Sequence, residues 1–466
     1  MSKPNILFLL TDDQRNNTIN ALGNCDIITP NMDELVRCGT SFSNAYIPGG
    51  YTGAVCMPSR AMIHSGRYLT SLEMDGQNIP QDHKLLGECF KETGYNAFGT
   101  GKWHNGPKAF TRSFTSGKNA FFGGMWDHWN VPLCNYDPLG NYDNIINFVA
   151  DFMHGKKVSK IHCDRFFPGK HSSQLVAEST IEFINNTSAD TPFFCYSAFL
   201  APHDPRTMPD QFRALYDNKE IQIPENFQEE YPVVYQGDWM RDEMLIPYPR
   251  TVERVESELK DYYAMITHLD HEIGRIIDAL KEKGVYENTI IILAGDNGLS
   301  LGSHGFLGKQ NLFEEAIKIP LVISGPSIKK NKIVENNIIL MDIYPTLCDL
   351  VGIEIPHSVE GTSFKNILQG KQGPSREEIY YIMLDRARGI RQGDWKLCYY
   401  TFPDAGKTSE VLVNLREDPD ELCNLAMDEQ YATKKALLRD RIIELRNEYK
   451  DTERVEAKRF WDSVIM

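Results

Sequence analysis

Asn5-Ile-Leu-Phe-Leu-Leu10 is an unbroken apolar run, the pattern of a strand buried on both faces. The periodicity then changes. Met32, Leu35 and Val36 recur at helical spacing, with Thr29-Pro30 suited to open the helix and Gly39 to close it. The alternation repeats down the chain. Leu85, Leu86, Cys89 and Phe90 predict a helix face ended by Gly94, with a strand over Tyr95–Phe98. Ser173–Asn185 reads as a helix and Pro192–Phe199 as a strand. Val255–Lys283 predicts a long amphipathic helix, followed by strands at Thr289–Leu293 and Ile319–Ile323.

Strands alternating with helices predict an α/β fold, a large and mostly parallel sheet sandwiched by helices. Gly370–Arg376 is polar and carries Gly and Pro, and is read as a boundary between a unit at 1–370 and a smaller one at 371–466. Beyond it, Ile390–Tyr400 and Val411–Leu415 predict strands of a small antiparallel sheet, and Gln430–Glu448 a terminal helix. The smaller unit is therefore expected to be α+β. No internal repeat or low-complexity tract interrupts the pattern.

The 466 residues are ample for two or three units at roughly 150 residues each. Net charge is 49 − 64 = −15, which disfavours general nucleic-acid binding. An anionic substrate is still admissible, because charges farther than about 8–10 Å are screened and a few cations in a cleft can dominate locally. The 10 cysteines show no CxxC pair and read as mostly reduced thiols. No stretch approaches the roughly 20 apolar residues of a membrane span. Met1-Ser2-Lys3 leads straight into the first strand, so the chain as given is expected to be cytoplasmic, or periplasmic or secreted if a leader was trimmed.

In α/β sheets ligands bind beyond the carboxyl ends of the strands, and the polar motifs fall there. The first strand runs into Thr11-Asp12-Asp13, and Tyr95–Phe98 leads to Gly101-Lys102-Trp103-His104. Pro192–Phe199 leads to Pro202-His203-Asp204-Pro205, and Thr289–Leu293 to Gly295-Asp296-Asn297-Gly298. One sheet edge is thus predicted to gather Asp12, Asp13 and Asp296 with an amide, two histidines and a lysine. Adjacent acids at the end of a buried strand repel each other without a cation. Asp12, Asp13, Asp296 and Asn297 offer hard oxygen donors, which suit Ca²⁺ or Mg²⁺ better than Zn²⁺.

Cys56-Met57-Pro58-Ser59-Arg60, followed by Gly66-Arg67, completes a set of motifs in order. With Lys309 and the motifs above, the chain from Asn5 to about Leu425 resembles the type I, formylglycine-dependent sulfatases of the alkaline-phosphatase superfamily. The resemblance implies an alkaline-phosphatase-like fold and hydrolysis of a sulfate ester. It implies that Cys56 is oxidised to formylglycine by a formylglycine-generating or anaerobic sulfatase-maturating enzyme, which reads Pro58 and Arg60. It favours Ca²⁺ over Mg²⁺, with Cys56, once modified, as a further ligand. The hydrated aldehyde would supply one hydroxyl to attack sulfur and a second whose deprotonation expels sulfate. Arg60 would stabilise that diol, and Lys102 and Lys309 would hold sulfate oxygens. His104 would assist proton transfer at the diol and His203 at the leaving oxygen.

Substrate contacts are expected from His304 and from the aromatic segment Asn105–Asp143, in particular Trp126 and His128. A sulfated carbohydrate is the favoured substrate class. Phosphonate monoester hydrolases and phosphodiesterases that share the formylglycine and metal site are the alternative, and a binding module with unmodified Cys56 is a third reading. His268, His271 and His64 read as structural.

Overall fold

A computed structural model describes residues 3–150, 157–188, 190–235 and 240–464. The main sheet contains β1 (Asn5–Thr11), β2 (Gly39–Phe42), β3 (Asn96–Lys102), β4 (Ser116–Phe121), β5 (Phe193–Ala198), β6 (Thr289–Gly295), β7 (Leu321–Ser324) and β8 (Lys332–Val334). Across the sheet they run β8-β2-β7-β6-β1-β5-β3-β4. The strands β6, β1, β5, β3 and β4 are mutually parallel neighbours, whereas β7 runs antiparallel to β6 and β2. The expected alkaline-phosphatase-like α/β architecture is therefore present.

Both faces of the sheet are covered, which is why β1 is apolar throughout. Leu7 and Leu9 point into one core with Leu293 and Ile291, beneath helices α1 (Pro30–Cys38), α4 (Ser172–Asn186) and α5 (Val252–Glu282). Ile6, Phe8 and Leu10 point into the other, shared with α2 (Cys56–Ser65), α3 (Leu86–Glu92) and α6 (Ile343–Val351). Thr251 opens α5 by accepting a hydrogen bond from the amide of Arg254 (3.4 Å). No helix among the described residues is long and apolar enough to cross a membrane.

The second sheet is formed by β9 (Glu378–Met383), β10 (Ala387–Gln392), β11 (Trp395–Phe402) and β12 (Lys407–Asn414), antiparallel in sequence order, with α7 (Ala432–Glu448) and α8 (Val455–Ser463) beside it. The stretch Ile390–Tyr400, read from sequence as one strand, is two. It folds at Gly393-Asp394, a two-residue hairpin loop in which Gly393 takes φ 60°. Gly49–Gly50 pairs in parallel with β9 as the fifth strand, so a segment just ahead of Cys56 is stitched into this sheet.

Register decides where the chemistry emerges. Leu10 pairs with Ala198 and with Ala294, and Gly101 pairs with Ala198, so four parallel strands end at one level. Gly101 takes φ 83°, and the register against β4 shifts between Thr100 and Gly101. A bulge there re-aims Lys102. A Cβ at Gly101 would lie 1.8 Å from the Ala198 carbonyl oxygen.

Gly101→Ala is accordingly expected to lower the unfolding free energy by at least about 3 kcal/mol. Gly94, at φ 88°, has open space around its missing Cβ, so Gly94→Ala is expected to cost only about 1 kcal/mol. Denaturant midpoints of the two variants check this, and equal losses would contradict the argument.

Candidate active site

β1 and β6 deliver Asp12 and Asp296 side by side. The amide of Asp296 donates to the Thr11 carbonyl (3.0 Å), and the amide of Asp13 donates to Asp296 Oδ1 (3.1 Å). Asn297 Nδ2 donates to Asp13 Oδ1 (2.8 Å). Asp13 takes φ 62° and His104 φ 67°, conformations that non-glycine residues adopt at a cost and that cluster at functional sites.

Cys56 is the first residue of α2, and Arg60 lies one turn further on. Arg60 Nε donates to Asp296 Oδ2 (2.8 Å) and its Nη1 to the Lys102 carbonyl (2.5 Å), while Nη2 lies 3.7 Å from Asp12 Oδ2. Lys102 is ion-paired with Asp12, and its Nζ lies 3.5 Å from Cys56 Sγ. His104 Nδ1 is 3.4 Å from the same sulfur. Lys309 binds both oxygens of Asp13 (2.6 and 2.7 Å), and His203 Nε2 is 3.7 Å from Asp13 Oδ2. The proposed nucleophile, metal donors, lysines and histidines thus converge on one buried cluster.

The donor set fits a hard divalent cation. Asp12, Cys56 and Asp296 each present one ligand atom, all within 4.8 Å of one another. Asp12 Oδ1 and Asn297 Oδ1 are buried without a hydrogen-bond partner. Orphaned buried oxygens are costly unless something positive meets them.

Burial governs the proton equilibria. It pushes the Cys56 thiol up to about 11, with Asp12 adding to the shift and Lys102 opposing it. A thiol in that range is almost wholly protonated at neutral pH and is a poor nucleophile. Burial, then Asp296, raise Asp12 in spite of Lys102 and Arg60. Burial works against the charge of Lys102 and Lys309, yet Asp12 and Asp13 respectively hold both ammonium groups charged. His104 and His203 lie well below the usual imidazole range, through burial first and then Lys102 and Lys309 respectively.

A cleft of about 220 Å³ opens onto Cys56, His104, His203 and Lys309. Met125 and Met240 give its wall apolar surface, and Arg241, Asp242 and Gln310 give it polar groups. Sequence reasoning did not single out these wall residues. Gln310 directly follows Lys309, and its Nε2 donates to Asp242 Oδ2 and to the Gly53 carbonyl (both 2.8 Å). Arg241 grips Asp204 Oδ2 with both terminal nitrogens (2.6 and 2.5 Å). The 240–242 segment has no motif around it that could have marked it.

None of the three residues expected at substrate is among those lining this cleft. Trp126 is half-buried against the Phe148 ring (4.5 Å), beside the cleft residue Met125. His128 is buried beneath His203: its Nε2 donates to the His203 carbonyl (2.9 Å), and its Nδ1 accepts from Ser172 Oγ (2.7 Å). His304 is stacked on Phe313 (3.9 Å) and does not line the cleft. His64 lies under the sheet between Trp103 and Tyr196, with ring centroids at 4.2 and 4.6 Å.

Burial, then Arg60, bring His64 down to about 3, and burial brings His128 down to about 4. The unfolded chain, at about 6.5, binds these protons first, so stability falls as pH falls below about 6.5. At pH 5 each histidine is expected to have cost about 2 kcal/mol relative to pH 7. In denaturant titrations at both pH values, His128→Gln should reduce that drop by about 2 kcal/mol; an unchanged drop would contradict the assignment.

The Sulfatase family model matches residues 4–353, and the model described as N-sulphoglucosamine sulphohydrolase, C-terminal, matches residues 302–448. The chain is 27% identical to the arylsulfatase of Clostridium perfringens over 95% of its own length and 94% of that protein. It is 24% identical to an N-acetylglucosamine-6-O-sulfatase of Bacteroides thetaiotaomicron, over 97% of this chain and 88% of the relative. A solved protein in complex with its substrate, D-glucosamine-2-N,6-O-disulfate, superposes with a TM-score of 0.77 at 21% identity, covering 97% of this chain and 99% of that one. The matched span takes in Asp12, Cys56 and Asp296 together, and the chain belongs to the sulfatase family, the sulfuric ester hydrolases.

Proposed function

We propose that the protein removes a sulfate group from a sulfated saccharide, using a formylglycine made from Cys56 by a maturating enzyme and a calcium ion held by Asp12, Asp13, Asp296, Asn297 and the modified residue. The observation that carries this reading is the Asp12–Cys56–Asp296 cluster, three ligand atoms within 4.8 Å beside two orphaned oxygens. When present, the hydrated aldehyde and the metal supply a nucleophilic hydroxyl and neutralise sulfate charge.

The remaining chemistry belongs to the side chains. Lys102 and Lys309, the two lysines of the buried cluster, hold sulfate oxygens as negative charge builds in the transition state. Arg60 bridges Asp296 and the end of β3, which keeps the helix bearing Cys56 in register with the acids. His104, 3.4 Å from Cys56 Sγ, moves a proton at residue 56. His203 is neutral in the free protein, with Nδ1 donating to the Asp204 carbonyl (2.8 Å). Entry of an anionic ester favours its protonated form, which then serves the leaving oxygen.

The saccharide assignment rests on the cleft and on the relatives. A cavity lined by two methionines together with a carboxylate, an amide and a guanidinium suits a ring with apolar and hydroxyl faces. Sulfated hexosamines head the substrate panel because two of the similar proteins act on, or are bound to, such sugars.

Matured protein is expected to release sulfate from a sulfated hexosamine and to cleave an aryl sulfate faster than an aryl phosphonate ester. Cys56→Ala should abolish turnover with the fold intact by circular dichroism. Asp296→Ala should lose both calcium, measured by atomic emission, and activity. Near-normal rates in the first variant, or full calcium stoichiometry in the second, would contradict the proposal.

A further inference from the structure

The loop 300–309 that brings Lys309 to the cleft also carries His304 into a second cluster, which shares no residue with the cleft. One ring nitrogen of His304 and one carboxylate oxygen from each of Glu315 and Glu421 lie within 4.8 Å of one another. All three residues are buried, His304 to 1% exposure and Glu421 to 5%. They come from three separate segments: the loop, the short helix Glu314–Ile317, and the stretch that follows β12.

Acceptors outnumber donors here. Asn226 Nδ2 sits 3.0 Å from His304 Nε2, 2.7 Å from Glu315 Oε1 and 3.0 Å from the Asp420 carbonyl oxygen. One amide nitrogen has two N–H groups for these three acceptors. Glu315 Oε2 is buried and has no hydrogen-bond partner. Glu421 is better supplied: its Oε1 is ion-paired with Lys396 Nζ at 2.7 Å, which is shared with Glu314 Oε1 at 3.0 Å, and its Oε2 accepts from the Glu314 amide at 2.7 Å. Lys318, Arg391 and Lys396 all gather on Glu314. Among the described residues the ionic neighbour of Glu315 is the His304 imidazole, at 3.9 Å. Turning over the Asn226 amide, whose two ends are interchangeable in shape, would aim a further oxygen at the same point.

We propose that His304, Glu315 and Glu421, with the Asn226 amide oxygen as fourth ligand, form a second metal site that takes a first-row divalent cation of the zinc type. An imidazole among carboxylates favours Zn²⁺ over the hard ions suited to the all-oxygen active-site set. Bonds of about 2.0–2.1 Å to a tetrahedral ion place ligand atoms about 3.3–3.4 Å apart, so the His304–Glu315 pair closes by roughly half an ångström on binding. A cavity of about 340 Å³, lined by Arg15, Asn226, Glu315 and Asp420 among others, gives the ion a route in. The bound ion ties the 226 segment, the Lys309 loop, the Glu314–Ile317 helix and the C-terminal stretch together. Its role is to fix the loop that ends in Lys309.

The test is zinc binding to chelator-treated full-length protein, by calorimetry and by thermal melting with zinc chloride. One zinc per chain and a raised melting temperature are expected. Glu315→Gln, which keeps the side-chain shape, and His304→Ala should each weaken binding at least tenfold. Asp296→Ala, which cripples the active-site cluster, should leave zinc binding unchanged. If His304→Ala fails to fold, the near-isosteric Glu315→Gln decides alone. No zinc uptake by the unmodified protein would overturn the proposal. So would uptake that survives Glu315→Gln, which would belong to exposed thiols such as Cys25 and Cys423, or uptake lost in Asp296→Ala.

Discussion

Three carboxylates buried at the end of two neighbouring strands are the constraint on which the rest of the site depends. Asp12, Asp13 and Asp296 are each at most 2% exposed. Burying a charge costs several kcal/mol unless it is paired. Three cations meet them: Arg60 from α2, Lys102 from the end of β3 and Lys309 from the loop 300–309. Each cation comes from a different element, so the same ion pairs that make the acids tolerable also dock the helix bearing Cys56 and the cleft loop onto the sheet. The balance is incomplete at Asp12. Its pKa stays raised and its Oδ1 stays unpartnered, which is the condition a divalent ion resolves.

Parallel strands ending at one level give the site its geometry. Gly101 lets β3 approach β5 closely enough for Lys102 to reach Asp12. Beneath the cleft, the Ser172–His128 pair holds the main chain of His203, so the orientation of the cleft-lining imidazole is set by another beneath it. Arg241 reaches Asp204 from outside, next to that same imidazole. The residues at the cleft floor are fixed by charge and those at its wall by long-range loop packing.

That division explains what the sequence disclosed. β1, β5 and β6 were legible because strands buried on both faces need unbroken apolar runs, and α5 because one of its faces is apolar over many turns. The acids after β1 and β6 and the lysine at the end of β3 were legible because strand ends fix where their side chains gather. β2 and β8 are short and partly polar, and they exist only through pairing with β7 and with each other. The hairpin at Gly393 was hidden inside an apolar stretch. Asp242 and Gln310 carry no local signature, since their meeting depends on 68 residues of intervening separation. Trp126 and His128 were read as substrate contacts from the aromatic composition of their segment and His304 from its place near Lys309, but neither clue says on which side of a loop a side chain lies.

The most direct test of the account is peptide mass spectrometry across Cys56, on protein produced with a maturating enzyme. Converting the CH₂SH side chain to CHO removes about 18 Da, the signature of a position built as a covalent nucleophile. The account predicts that loss, together with sulfate release by the same sample. A sample in which Cys56 remains a free thiol and sulfate is still released at full rate would contradict it.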